Sequence, residues 1–209
     1  MADTLAYALG SRLYLNVTSR CTLACTFCPK RTHGEVWGRR LRLVRQPTAG
    51  ALAAAAGDPR VPREIVFCGL GEPTRRLDVL LDVAARLRAG GARRLRLNTD
   101  GLANLVTGAD TTAALAAAID AFSVSVNAPD AATYARVCPS RYGEAAYPAV
   151  LDFVRRLRAR TPAVTASFVA LPGLDLRTCR RVATGLGVRS RVRRYKPPAS
   201  RAAWREPRR

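Results

Sequence analysis

Strand-like and helix-like runs alternate along this chain at a nearly constant step, which narrows its possible folds more than any other feature does. Strand candidates are 12–18 (RLYLNVT), 64–69 (EIVFCG), 94–99 (RLRLNT), 122–127 (FSVSVN), 163–170 (AVTASFVA) and 190–195 (SRVRRY). Between the second and third, 75–89 sets Leu77, Leu80, Leu81, Ala84 and Leu87 on one helical face, with Thr74 as cap and Gly90-Gly91 as stop. The stretch 146–159 repeats the pattern with Tyr147, Val150, Leu151, Val154 and Leu157. Shorter helices are expected at 48–57, 111–119, 130–137 and 175–186, capped by Thr48, Thr111, Asp130 and Asp175. Strand starts fall mostly about thirty residues apart, the length of a βαβ unit. The chain therefore reads as an α/β fold of six parallel strands covered by helices.

The strand faces refine this reading. A parallel sheet covered on both sides is apolar on both faces, yet here most strands alternate. Leu13, Leu15 and Val17 oppose Tyr14, Asn16 and Thr18; Leu95 and Leu97 oppose Arg94, Arg96 and Asn98; Val124 and Val126 oppose Ser123, Ser125 and Asn127. With helices on the apolar side, the polar side lines something else. An incomplete barrel with a polar lumen satisfies the pattern, and an open sheet with one solvated face is the alternative.

A length of 209 residues suits one domain, expected to span 1–196, with a basic tail at 197–209 after Pro197-Pro198. There is no run of 18 apolar residues and no signal-like start, so the expectation is a cytoplasmic protein without a membrane partner. The net charge of +20 comes from 35 Lys+Arg against 15 Asp+Glu, and half of it lies in 180–209. That balance admits a nucleic-acid partner, but an arginine- and alanine-biased, solvated surface is the favoured explanation.

Three of the six cysteines fall within Cys21-Thr-Leu-Ala-Cys25-Thr-Phe-Cys28, directly after the first strand. Ligand-binding loops of α/β folds gather at that end of the strands. Thiolates at this spacing suit an iron–sulfur cluster or zinc. Three ligands leave one coordination position either open for chemistry or closed from elsewhere, with His33 and Cys68 as the candidates. Cys68, Cys138 and Cys179 read as core thiols, Cys138 being the outside candidate for a reactive one.

Cys-x₃-Cys-x-Phe-Cys after a first strand resembles the signature of radical S-adenosylmethionine (SAM) enzymes. Three further segments are similar to that family's motifs, in order: Cys68-Gly-Leu-Gly71-Glu72-Pro73, Leu97-Asn98-Thr99-Asp100-Gly101 and Ser123-Val-Ser125-Val-Asn127. Leu70 and Asp100 depart from the usual Gly and Asn. The segments LYLNVTSRC, FCGLGEPT, LNTDGL, SVSVNAPD and VRRYKP most resemble the TatD-associated radical SAM proteins.

The resemblance implies an incomplete (β/α)6 barrel, the radical SAM core, with Cys21, Cys25 and Cys28 holding a [4Fe–4S] cluster. It further implies reductive cleavage of SAM to a 5′-deoxyadenosyl radical for hydrogen abstraction, with an electron donor such as flavodoxin or ferredoxin as partner. SAM contacts are expected from Phe27, Gly71, Glu72, Asn98, Thr99, Ser125 and Asn127, with Glu72 accepting from the SAM ammonium. The substrate is unnamed. Arg96, Arg191 and Arg193 point into the lumen by strand parity, and they are expected to meet an anionic substrate or the SAM carboxylate; an internal salt bridge with an acid such as Glu72 is the alternative. A substrate nucleic acid or protein held by the basic tail, or a non-enzymatic metal-bearing nucleic-acid-binding module, are the competing functions.

Overall fold

The computed structural model describes residues 3–31, 35–36 and 38–195. The tail at 197–209 and His33 lie outside them. Strand β1 (Ala6–Leu9) turns through Gly10-Ser11 into β2 (Arg12–Asn16), and a short hairpin of β3 (Glu35–Val36) and β4 (Arg39–Arg40) follows. The chain continues through α1 (Ala49–Ala56), β5 (Glu64–Cys68), α2 (Leu77–Ala89), β6 (Leu95–Thr99), α3 (Ala103–Thr107), α4 (Thr112–Ala118) and β7 (Ala121–Ser125). It ends with α5 (Ala131–Val137), α6 (Ala146–Arg160), β8 (Val164–Val169), α7 (Leu176–Gly185) and β9 (Arg189–Arg193).

All six expected strands form, and they pair in parallel in the order β2-β5-β6-β7-β8-β9. The sheet has two edges, β1 and β9, so the barrel is incomplete as expected. Sequence reasoning missed β1, because four residues reading Ala-Tyr-Ala-Leu carry no decisive period. Its turn needs Gly10 at φ 59°, where a side chain would be strained.

Leu15, Ile65, Phe67, Leu95, Leu97, Phe122 and Val124 face the helices and pack with Leu80, Val83, Leu87, Val150, Phe153 and Leu157 in one core. Tyr7, Leu41, Val66, Cys68 and Leu70 make a second, smaller cluster that includes the opposite face of β5. Apolar residues thus face the helices on β2, β5, β6, β7 and β8, as the alternation requires, but β5 is buried on both faces and β9 adds nothing to the core.

Two caps differ from expectation. Thr111 makes no side-chain cap to α4; Asp110 instead accepts from the Thr112 amide at 2.9 Å. Thr74 lies inside a 3-10 turn, Pro73–Arg76, whose cap is Glu72. Thr48, Asp130 and Asp175 cap α1, α5 and α7 as expected. Among the described residues, no helix is long and apolar enough to cross a membrane.

Candidate active site

The three clustered cysteines sit on the loop that leaves the carboxyl end of β2, and neighbouring segments hold that loop from two sides. On one side, Leu43 N donates to Ser19 Oγ at 3.0 Å and Thr18 Oγ1 donates to Gln46 at 2.7 Å. On the other, Ala24 N donates to Pro139 O at 2.8 Å, Thr26 N to Val137 O at 3.0 Å, and Arg141 N to Thr22 O at 3.1 Å. From below, Gly71 N donates to Thr18 O and Glu72 N to Arg20 O, at 2.9 and 2.8 Å. A Cβ on Gly71 would stand 2.3 Å from Arg20 O and 2.6 Å from both Arg20 N and Thr18 O. The close approach that Gly71 permits is therefore to the cysteine loop itself. Fixing a loop this short at so many backbone points sets where its thiols lie before any ligand arrives.

Cys21, Cys25 and Cys28 are half-buried, while Cys68, Cys138 and Cys179 are buried. Burial, reinforced by Asp100 and Glu72, pushes the Cys21 thiol up to about 12. Cys25 rises well above its ordinary value through a hydrogen bond with Cys138 and through burial. Both thiols are thus held toward their protonated form, and a metal bound by them would have to displace those protons. Among the described residues, no three His, Cys, Asp or Glu side chains gather round a single-ion site. Cys68 instead contacts Tyr7, its sulfur 3.7 Å from the phenol oxygen.

Glu72 is buried with its acceptor positions engaged by the protein. Oε1 accepts from Thr74 N, Thr74 Oγ1 and Thr99 Oγ1 at 3.0, 2.8 and 2.8 Å, and Oε2 accepts from Asp100 N at 2.6 Å. Glu72 and Thr99 thus tie the loop after β5 to the loop after β6. Beside them Asp100 Oδ1 accepts from Leu102 N at 2.9 Å, while the buried Oδ2 meets no protein donor and the carboxyl lies against that of Glu72. Burial, followed by the charge of Glu72, raises the Asp100 carboxyl well above its usual range. Thr22 Oγ1 and Tyr134 Oη are also buried without a partner; burial, then the Cys138 and Asp100 charges, weigh on Tyr134. Orphaned polar atoms at the cysteine loop mark a region built to receive something more.

The far wall comes from β7 and β9. Asn127 is the one non-glycine with positive φ (60°) among the described residues. Its Nδ2 donates toward Cys138 Sγ at 3.6 Å, and its Oδ1 accepts from Arg193 at 3.3 Å. Arg193 also reaches Ser125 Oγ at 3.4 Å. A left-handed backbone at a buried asparagine is unusual away from functional sites. Phe27 packs against the main core.

The structure separates the three lumen arginines. Arg193 joins Ser125 and Asn127 at the cysteine end. Arg96 is paired within the protein, and its partner is Glu64, not Glu72. Arg96 Nε donates to Glu64 Oε2 at 3.0 Å, and Nη1 to Asn98 Oδ1 at 2.7 Å. Asn98 thus bonds Arg96, and Arg191 lies near the amino ends of the strands. Sequence reasoning did not assign roles to Asp100 or Tyr134, and of the 137–141 loop it singled out only Cys138, as a core or reactive thiol. Asp100 carried one signal, a charged residue in a turn motif whose usual residue is neutral; the other two are brought to the site only by tertiary contacts.

The profile of the radical SAM superfamily matches residues 15–184. The probable dual-specificity RNA methyltransferase RlmN 1 of Opitutus terrae is 32% identical over 189 residues, which span 83% of this chain and 48% of that protein. The chain therefore spans about half the length of this curated relative, which is an RNA methyltransferase, not a TatD-associated protein. Among solved structures, a radical SAM methyltransferase from Sphaerobacter thermophilus superposes with a TM-score of 0.58 at 20% identity, covering 95% of this chain and 71% of that one. Native anSMEcpe with bound AdoMet gives 0.67 at 13% identity, with 88% and 51% covered. At these identities the structures speak for the fold alone.

Proposed function

The chain belongs to the radical SAM superfamily, and we propose that Cys21, Cys25 and Cys28 hold its [4Fe–4S] cluster, with SAM seated between the cysteine loop and Asp100. When bound, the reduced cluster supplies the electron that splits SAM into methionine and a hydrogen-abstracting 5′-deoxyadenosyl radical. The residues fit this pair. The donors are soft sulfurs, half-buried at the mouth of a partial barrel, and buried polar atoms beside them lack partners.

One observation carries the reading: a thiol loop fixed by backbone bonds next to an orphaned buried carboxylate oxygen. Asp100 Oδ2, beside the more fully bonded Glu72, is the acceptor suited to the SAM ammonium, whose positive charge would offset the burial that holds the Asp100 carboxyl protonated. Glu72 and Thr99 act as positioning residues that hold Asp100 in place. Arg193, Ser125 and Asn127 offer a cationic and hydrogen-bonding wall suited to the SAM carboxylate and ribose. The cysteine loop and the 137–141 loop exclude water from the sulfurs' inner side.

Anaerobic reconstitution tests the reading. About four irons and four sulfides per chain, and 5′-deoxyadenosine released from SAM under reduction, are expected. A chain that takes up one zinc and no iron sinks it.

A second reading names RNA as the substrate class and methylation as the reaction. It is supported by the Opitutus terrae relative and the net charge of +20. Transfer of label from methyl-tritiated SAM into an RNA pool, lost in Cys25→Ala, is the corresponding test. The narrower likeness to TatD-associated proteins rests only on the short segments quoted from the sequence. An electron donor such as flavodoxin or ferredoxin belongs to the proposal in either case.

A further inference from the structure

The lumen has a second, oppositely placed opening. At the amino ends of the strands a cavity of about 220 Å³ is lined by Arg12, Arg94, Arg96, Arg189 and Arg191, with Glu64 as the only acid among the lining residues. Each strand rises about 3.3 Å per residue. Five-residue strands therefore place this opening roughly 15 Å from the cysteine loop.

The charge here is concentrated and only partly balanced. Glu64 is buried, and three guanidinium groups share its carboxylate: Arg12 at 3.1 Å, Arg94 at 3.2 Å and Arg96 at 3.0 Å. Arg189 and Arg191 have no acidic partner among the described residues. Both belong to β9, which pairs in register with β8, so the sheet holds them on this rim. Four of these five guanidinium groups are exposed and solvated, so their mutual repulsion is modest, but their convergence on one concave wall concentrates a positive potential that favours a multivalent anion.

From this we infer that the cavity is a second site, which takes the phosphate or diphosphate group of a small ligand. A single carboxylate carries one charge and would leave most of the excess uncompensated. A phosphate presents about two charges and several oxygens, matching paired guanidinium forks. The cavity is smaller than the roughly 300–1,000 Å³ that encloses a drug-sized molecule. It therefore grips the charged end of the ligand and leaves the remainder at its open mouth. The inference does not depend on the cluster or on SAM.

Inorganic diphosphate, titrated calorimetrically into the full chain at low and at physiological ionic strength, is the probe. Saturable one-to-one binding is expected, weakening as salt rises. The double variant Arg189→Ser/Arg191→Ser should weaken it about tenfold or more, as expected for loss of charge-assisted bonds. Arg155→Ser, an exposed arginine on α6 outside the cavity, should leave it unchanged. Glu64→Gln should tighten binding, because it removes the competing carboxylate and frees Arg96. Both arginines of the double variant are exposed, so folding should survive their loss. Binding without saturation, equal weakening by Arg155→Ser, or unchanged or weaker binding by Glu64→Gln would each overturn the inference.

Discussion

Replacing Gly71 by alanine tests whether the cysteine loop is held from below by backbone contact. The added Cβ would meet three backbone atoms of Thr18 and Arg20 at 2.3–2.6 Å. Backbone cannot rotate aside as a side chain does, so the loop after β5 and the cysteine loop must separate by about 1 Å to restore ordinary contact. That movement stretches the Gly71-to-Thr18 and Glu72-to-Arg20 bonds, now 2.9 and 2.8 Å, beyond useful length. Two hydrogen bonds at about 0.5–1.5 kcal/mol each, together with about 1–3 kcal/mol of overpacking, give a loss centred near 4 kcal/mol. For a chain of this size that is a fall in Tm of about 8–16 °C. Urea unfolding of the metal-free chain measures the stability, and iron content after reconstitution measures the loop. Gly185→Ala is the control, since nothing lies within 4 Å of its Cβ and its φ is ordinary. A Gly71→Ala chain with the parent's urea midpoint and full iron uptake would refute the reasoning.

Asp100→Ala should weaken SAM binding to the iron-loaded chain by about tenfold while leaving iron content unchanged; equilibrium dialysis with labelled SAM reads the affinity, and an unaltered affinity counts against Asp100 as the ammonium acceptor. Asn127→Ala should destabilise the chain by about 1–2 kcal/mol, and Asn127→Gly by less, because glycine alone keeps the left-handed backbone without strain; urea midpoints of the pair decide. Burial tends to raise the Asp120 carboxyl, but hydrogen bonds from Arg88 and from the Leu95 amide outweigh it and hold the group below its ordinary value. Its contribution to stability is therefore present above about pH 4 and is lost as pH falls through the depressed value. Melting temperatures from pH 7 to pH 3 should fall less steeply in Asp120→Asn, whose amide does not titrate. An equal slope in the two proteins would contradict that assignment.

Much of this protein was legible without coordinates. Alternating apolar residues such as Leu95 and Leu97 against Arg96 and Asn98 determine which strand face meets the helices, and the β-α step determines that the strands run parallel. Both properties are local and periodic, so a linear text carries them. The Cys21, Cys25 and Cys28 spacing is local too, and it pointed to a thiolate site for a cluster or zinc. Contacts between distant segments were not legible. Strand parity placed Arg96 and Arg193 in one lumen, but only the register of β5, β6 and β9 put Arg96 beside Glu64 and Arg193 beside Asn127. Composition gave no hint that Glu72 would be engaged by Thr74, Thr99 and the Asp100 amide, or that Asp100 would keep a buried oxygen that no protein donor reaches. Hydrogen-bond satisfaction depends on which groups tertiary packing brings within 3 Å, and sequence separation carries no information about that distance. The sequence by itself thus determined the layers, the strand direction and the clustering of three thiols on one loop. The tertiary structure alone decided which polar groups are already paired and which are left to receive a ligand.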